Sequence, residues 1–86
     1  MTKKKVLLCG SGELGRELTL ELRKLDVFVI AMDKYKNAPA MQVSNAYYIC
    51  NMLDEKELKN AISIIQPDII VPEVESIATN VLYYFE

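Results

Sequence analysis

Histidine and tryptophan are absent from this 86-residue chain, and glycine, proline and cysteine are scarce at three, three and two residues. Without histidine, His-based metal sites and histidine acid–base catalysis are excluded. Two cysteines far apart in sequence, Cys9 and Cys50, make a weak zinc case. Each ends a strand in the pattern below, so buried reduced thiols are the expectation, ahead of a structural disulfide. No apolar run approaches the roughly 20 residues of a membrane span. Val6 to Cys9 is too short for the core of a signal peptide and no cleavage site follows, which points to the cytoplasm. Charge of one sign is also lacking: 10 basic residues face 12 acidic ones, a net charge of −2. That balance gives no electrostatic case for nucleic acid. Lys3-Lys4-Lys5 reads as a frayed, solvated N-terminus. Half the residues are apolar, enough for one small core in one small domain.

What is present is an alternation of short apolar runs and amphipathic segments. Lys5 to Cys9 reads as a strand buried on both faces. Glu13 to Lys24 reads as a helix whose buried stripe is Leu14, Leu18, Leu22 and Leu25, with Arg16, Glu17, Glu21 and Arg23 in water. Val27 to Met32 is a second strand, ending at Asp33. Lys34 to Ser44 reads as a loop with one short helical turn. Tyr47 to Cys50 is a third strand. Asp54 caps a helix, and Glu57 completes a capping-box-like pattern. Leu58, Ala61, Ile62 and Ile65 are its buried face, and Gln66-Pro67 stops it. Asp68 to Val71 is a fourth strand, closed by Pro72. From Ser76 onward the pattern is again helical, with Ile77, Val81, Leu82 and Phe85 on its apolar side. Tyr47, Tyr48, Tyr83 and Tyr84 read as packing groups. The order implies an α/β fold, a Rossmann-like open parallel sheet of about four strands with helices on both faces.

The chemistry concentrates at Gly10-Ser11-Gly12-Glu13-Leu14-Gly15, a glycine turn between a strand and a helix. Such turns open nucleotide-binding βαβ units, with helix N–H groups and a partial positive charge facing the ligand. Glu13 is out of place there. A carboxylate at the mouth of the turn repels a pyrophosphate and suits an amine or hydroxyls. Ligands of open parallel sheets bind beyond the carboxyl ends of the strands, where Asp33, Asn51 and Pro72-Glu73 also arrive. If strands one and four are neighbours, Glu13 and Glu73 can face one crevice and hold an ammonium group and sugar hydroxyls. Simpler roles stand beside these. Glu13 also fits as an acidic residue of the first helical turn. Asp33 either holds a ribose hydroxyl or caps the loop, and Glu73 either binds or is a solvated loop charge.

Several longer blocks carry a resemblance. They are Gly-Ser-Gly-Glu-Leu-Gly at 10–15, Asp33-Lys34-Tyr35, Asn37-Ala38-Pro39-Ala40-Met41-Gln42-Val43, Asn51-Met52-Leu53-Asp54 and Val71-Pro72-Glu73-Val74-Glu75-Ser76-Ile77-Ala78-Thr79. Together they resemble the N-terminal, pre-ATP-grasp domain of the formate-dependent phosphoribosylglycinamide formyltransferases, members of the ATP-grasp superfamily. The resemblance runs from about Lys5 to Leu82, and the Ala-Pro-Ala-Met and Pro-Glu-x-Glu blocks are far more specific than the glycine turn. It implies that residues 1–86 are one substrate-binding domain of a longer enzyme, with the ATP-grasp and C-terminal domains absent. It implies a reaction in purine biosynthesis: ATP and Mg²⁺ activate formate as formyl phosphate, and the formyl group passes to the amine of glycinamide ribonucleotide. It places the ribonucleotide contacts on Glu13, Leu14 and Glu73. It assigns ATP and Mg²⁺ to the missing domain, so that this chain alone carries no catalytic residue, binds no cofactor or metal and is inactive. A homodimer is implied for the intact enzyme, with no nucleic-acid or membrane partner. Three alternatives stay open: a free-standing Rossmann-like module that binds NAD or another nucleotide, an interaction module whose fold no longer binds a ligand, and the N-terminal domain of a carboxylase-type ATP-grasp ligase. One departure from the resemblance is local. A His-Arg-type pair is common after the Ala-Pro-Ala-Met block, and Ser44-Asn45-Ala46 stand there instead.

Overall fold

A computed structural model describes residues 4–72 of the chain. Glu73, the helix expected from Ser76, Tyr83 and Tyr84 lie outside the described residues. The elements are β1 (Lys5–Cys9), α1 (Glu13–Lys24), β2 (Phe28–Asp33), a 3-10 turn (Pro39–Gln42), β3 (Ala46–Ile49), α2 (Glu55–Ile65) and β4 (Ile69–Pro72). Every expected element in this range forms, with strand bounds shifted by one residue at most. The four strands make one parallel sheet in the order β3-β2-β1-β4. β1 therefore lies between two neighbours, and its apolar run Val6-Leu7-Leu8-Cys9 is buried throughout, as a strand covered on both faces requires.

Alternate residues of the strands feed two clusters. On one face Leu7, Cys9, Ile30 and Met32 pack with Leu58, Ala61 and Ile62 of α2. On the other, Leu8 and Ala31 pack with Ala38, Ala40 and Met41 of the 3-10 turn. α1 lies against that turn and β2, so the two helices cover opposite faces.

α2 follows its sequence signals closely. Asp54 is the N-cap, and its carboxylate accepts from the Lys56 and Glu57 N–H groups. The reciprocal half of the capping box departs from expectation. The Glu57 carboxylate accepts from the N–H of Asn51, at 3.2 Å, because the Asp54 N–H is already donated to the Asn51 carbonyl. At the other end Gln66 takes a left-handed conformation (φ 51°) and returns its N–H to Ile62. Lys5 is not frayed. Its ammonium group donates to the Ile65 carbonyl at 2.9 Å, at the negative end of α2, and its backbone exchanges hydrogen bonds with Asp68.

α1 corrects the expected stripe. Leu14 and Leu25 are 77% and 74% exposed, Leu18 also faces solvent, and Leu22 is half-buried. The buried positions are Gly15 and Thr19. Small side chains let the helix backbone settle close to the sheet, and the Thr19 hydroxyl is satisfied by the Gly15 carbonyl at 2.7 Å. That contact turns the leucine arc to the flank of the helix. Tyr47 is a second correction: Tyr48 packs against the α2 cluster, but Tyr47 points to the other face and is exposed.

Both cysteines are buried and free. Burial, helped by the neighbouring Cys50, pushes the Cys9 thiol up to about 12, and burial with Glu57 and Asp54 pushes Cys50 up to about 11. Thiolates are thus suppressed at neutral pH, so alkylation in the native state should be slow; fast labelling of both by iodoacetamide would contradict the placement. Between about pH 9, where an unfolded thiol ionises, and pH 11 the unfolded state binds fewer protons than the native state. Stability should therefore fall as pH rises through that window, and replacing both cysteines by alanine should flatten the slope of the denaturation midpoint. The corrected face of α1 gives a second expectation. Leu14→Ser and Leu25→Ser should each change stability by no more than about 0.5 kcal/mol. Leu58→Ala, at a fully buried site, should cost about 2–5 kcal/mol in urea denaturation.

Candidate site at the glycine turn

The turn between β1 and α1 is built from β2. Gly10 has φ 100°, a region that a Cβ disfavours, and donates its N–H to the Met32 carbonyl at 2.9 Å. Ser11 is fully buried, and each of its polar groups has a partner. Its N–H donates to Asp33 Oδ2 at 3.0 Å and its hydroxyl to the Met32 carbonyl at 3.0 Å. Its carbonyl accepts the Ala40 N–H at 2.9 Å, which ties the 3-10 turn to the same segment. Gly12 is the N-cap of α1 at φ −76°, ψ −160°, a conformation open to any residue. Backbone geometry thus does not account for that glycine, whereas close approach of another group would.

Asp33 had two readings, and the structure makes it the loop cap. Oδ2 accepts from Ser11 and Oδ1 accepts the Lys34 N–H at 2.7 Å. Asn51 is likewise local: its side chain accepts the Leu53 N–H at 3.1 Å, closing the turn that leads into α2. Both residues build the rim of the site.

Glu13 and Leu14 occupy the first turn of α1, exposed, at the edge where the strands end. Glu13 makes no side-chain hydrogen bond or ion pair with the described residues. The condition for pairing it with Glu73 is met up to the last described residue. β1 and β4 are neighbours, and Pro72 stands beside Cys9. Glu73 itself lies outside the described residues.

The Ser44-Asn45-Ala46 departure has a structural account. Asn45 exchanges bonds with Val29 on β2: its side-chain oxygen accepts the Val29 N–H and its own N–H donates to the Val29 carbonyl. The Ser44 hydroxyl donates its one proton to the Ala46 carbonyl at 2.7 Å, with the Met41 carbonyl a longer contact at 3.3 Å. Asn45 extends the ladder to β2 at the start of β3, and Ser44 closes the turn that leads into it. Sequence reasoning missed a cavity of about 190 Å³ lined by Lys36, Asn37, Met41 and Tyr47. Asn37 at φ 56° shapes that loop, and an Asn beside Ala-Pro was the available signal. Among the described residues no three Cys, Asp or Glu side chains are grouped so as to hold a metal ion, and no helix is long and apolar enough to cross a membrane.

Comparison with known proteins places this geometry. A curated formate-dependent phosphoribosylglycinamide formyltransferase from Pseudomonas savastanoi pv. phaseolicola is 53% identical over 85 residues, 99% of this chain. One from Parabacteroides distasonis is 54% identical over the same span. The chain covers 22% of the length of either relative. Among solved structures, glycinamide-RNase-transformylase T from Mycobacterium tuberculosis superposes with a TM-score of 0.93 at 34% identity, over 95% of this chain and 24% of that one. N5-carboxyaminoimidazole ribonucleotide synthetase from Thermotoga maritima superposes at 0.82 with 28% identity, over 92% and 21%. The model of the ribonucleotide synthetase preATP-grasp domain matches residues 2–86. With its 3-2-1-4 parallel sheet and its glycine turn at the ends of the strands, the chain belongs to the family of ribonucleotide synthetase preATP-grasp domains.

Proposed function

We propose that this chain is the ribonucleotide-binding N-terminal part of a formate-dependent phosphoribosylglycinamide formyltransferase. The observation that carries the proposal is identity of 53% and 54%, along 99% of the chain, to curated enzymes of that activity. The geometry of the turn supports it. An exposed carboxylate, Glu13, stands at the strand ends beside Gly12, whose missing side chain leaves room for close approach. Such a site favours an amine and hydroxyls, the groups a glycinamide ribonucleotide presents. In this proposal Glu13 and Glu73 hold the substrate amine and sugar, and Leu14 covers an apolar part of the ligand. The intact enzyme would act on purine precursors in the cytoplasm and as a homodimer.

ATP and Mg²⁺ supply the activation of formate in the intact enzyme. Among the described residues no three acidic side chains are grouped so as to hold the metal, and the Ser11 N–H, one donor of the turn, is bonded to Asp33. The part proposed for this chain is therefore to bind and orient the ribonucleotide. The Ser11 N–H, a donor that a pyrophosphate at this turn would use, is already given to Asp33, which argues against the NAD-binding alternative. The carboxylase-type alternative draws on neighbours 28% and 31% identical, below the 53% and 54% of the curated formyltransferases.

Two outcomes are expected. Calorimetry on the 86-residue chain should show no NAD or ATP binding at millimolar ligand; micromolar NAD binding would overturn the proposal. In the intact enzyme, Glu73→Gln and Glu13→Gln should each weaken use of glycinamide ribonucleotide by about 1.5–3 kcal/mol, from about tenfold to more than a hundredfold. Parameters for ATP and formate should change little. Steady-state kinetics with each substrate varied in turn checks this, and wild-type use of the ribonucleotide by both variants would remove the carboxylates from the site.

A further inference from the structure

The Asp33 carboxylate does something that the fold alone does not require. In a dinucleotide-type turn, backbone N–H groups before the helix meet a phosphate, while the acid at the end of the second strand meets a ribose. Here the acid turns back. Its Oδ2 accepts from Ser11 at 3.0 Å and its Oδ1 from Lys34 at 2.7 Å. Ser11 lies two residues ahead of the first helical residue of α1, so a negative charge rests at the positive approach to the helix. The bond from Ser11 is charge-assisted, roughly twice as strong as a neutral one. Met32 and Ala40 fix the hydroxyl and carbonyl of the same residue, so Ser11 has one arrangement.

We propose that Asp33 is a specificity-determining residue of this turn: its carboxylate is the resident anion of the glycine loop, closing it to external phosphate and fixing the segment that presents Glu13. A phosphate seeking the Ser11 N–H meets a charge-assisted bond already made, the Asp33 charge and then the Glu13 charge. An amine or hydroxyl meets two carboxylates and no competing anion. The inference rests on the chain's own hydrogen bonds and stands whether or not the ribonucleotide proposal holds.

The test uses the ¹⁵N-labelled 86-residue chain, with Asp33→Ala and Asp33→Asn, titrated with inorganic phosphate. In wild type the Ser11 amide should exchange slowly, and its resonance and that of Gly12 should not move with millimolar phosphate. In Asp33→Ala the Ser11 amide should exchange at least about tenfold faster. Its resonance should then move saturably with phosphate, which takes the vacated place. Asp33→Asn keeps a neutral acceptor and the shape of the side chain, so it covers the case in which the alanine variant does not fold. It should show the same phosphate response, more weakly, with the resonances of Val29 and Ile30 unchanged. The inference is overturned if phosphate moves the turn amides of wild type as much as those of the folded variants. It is also overturned if removing the carboxylate leaves Ser11 exchange and the phosphate response as they were.

Discussion

The structure depends on the saturation of one buried serine. Ser11 lies two residues beyond the end of β1, and a chain that leaves a sheet there would strand its polar groups away from water. Instead the end of β2 takes the hydroxyl and N–H, and the 3-10 turn gives its Ala40 N–H to the carbonyl. The end of β2 and the 3-10 turn, both more than 20 residues on in sequence, are thereby joined to the glycine turn at one residue. The position of α1, and with it the exposed edge that carries Glu13, follows from that junction. No buried polar side-chain atom among the described residues is left without a partner, so the junction leaves no unsatisfied cost.

Much of this was legible in the residues because the signals were local. Asp54 reports a helix start through a bond to its own next residues, and Pro67 after Gln66 reports a stop. The unbroken apolar run of β1 reports burial on both faces. What was not legible depends on partners distant in sequence. The leucines of α1 announce an amphipathic helix, yet which side meets the sheet is decided by how close the backbone can come. Gly15 and Thr19 decide that, and they carry little hydrophobic signal. The choice for Asp33 between ligand and loop was likewise undecidable from spacing, since it depends on where a carboxylate 22 positions away from Ser11 turns.

The site shows the same division. Glu13 was legible because an acid in a glycine turn contradicts the usual phosphate chemistry of that turn. The contradiction resolves once the turn is seen already to hold an anion of its own. The fold is shared with nucleotide-binding proteins, but the turn carries the Asp33 and Glu13 carboxylates where those proteins meet a phosphate, and fold likeness alone is a poor guide to ligand. Similarity to the formyltransferases and the local geometry point the same way from independent starting points.

The 3-2-1-4 strand order has a consequence for how the chain comes together. β1 is made first, yet one of its edges stays open until β4, some 60 residues later, pairs with it. The β1-β2 pair forms across a single helix, while the β1-β4 pair must wait for nearly the whole described chain. Sheet completion by a distant strand is slow because the loop entropy is lost before the contacts form. During synthesis the apolar edge Val6-Leu7-Leu8 would stand exposed longest, and the Lys5–Asp68 and Lys5–Ile65 bonds would be among the last to close. The segment most hazardous for aggregation is thus the one that ends at the glycine turn.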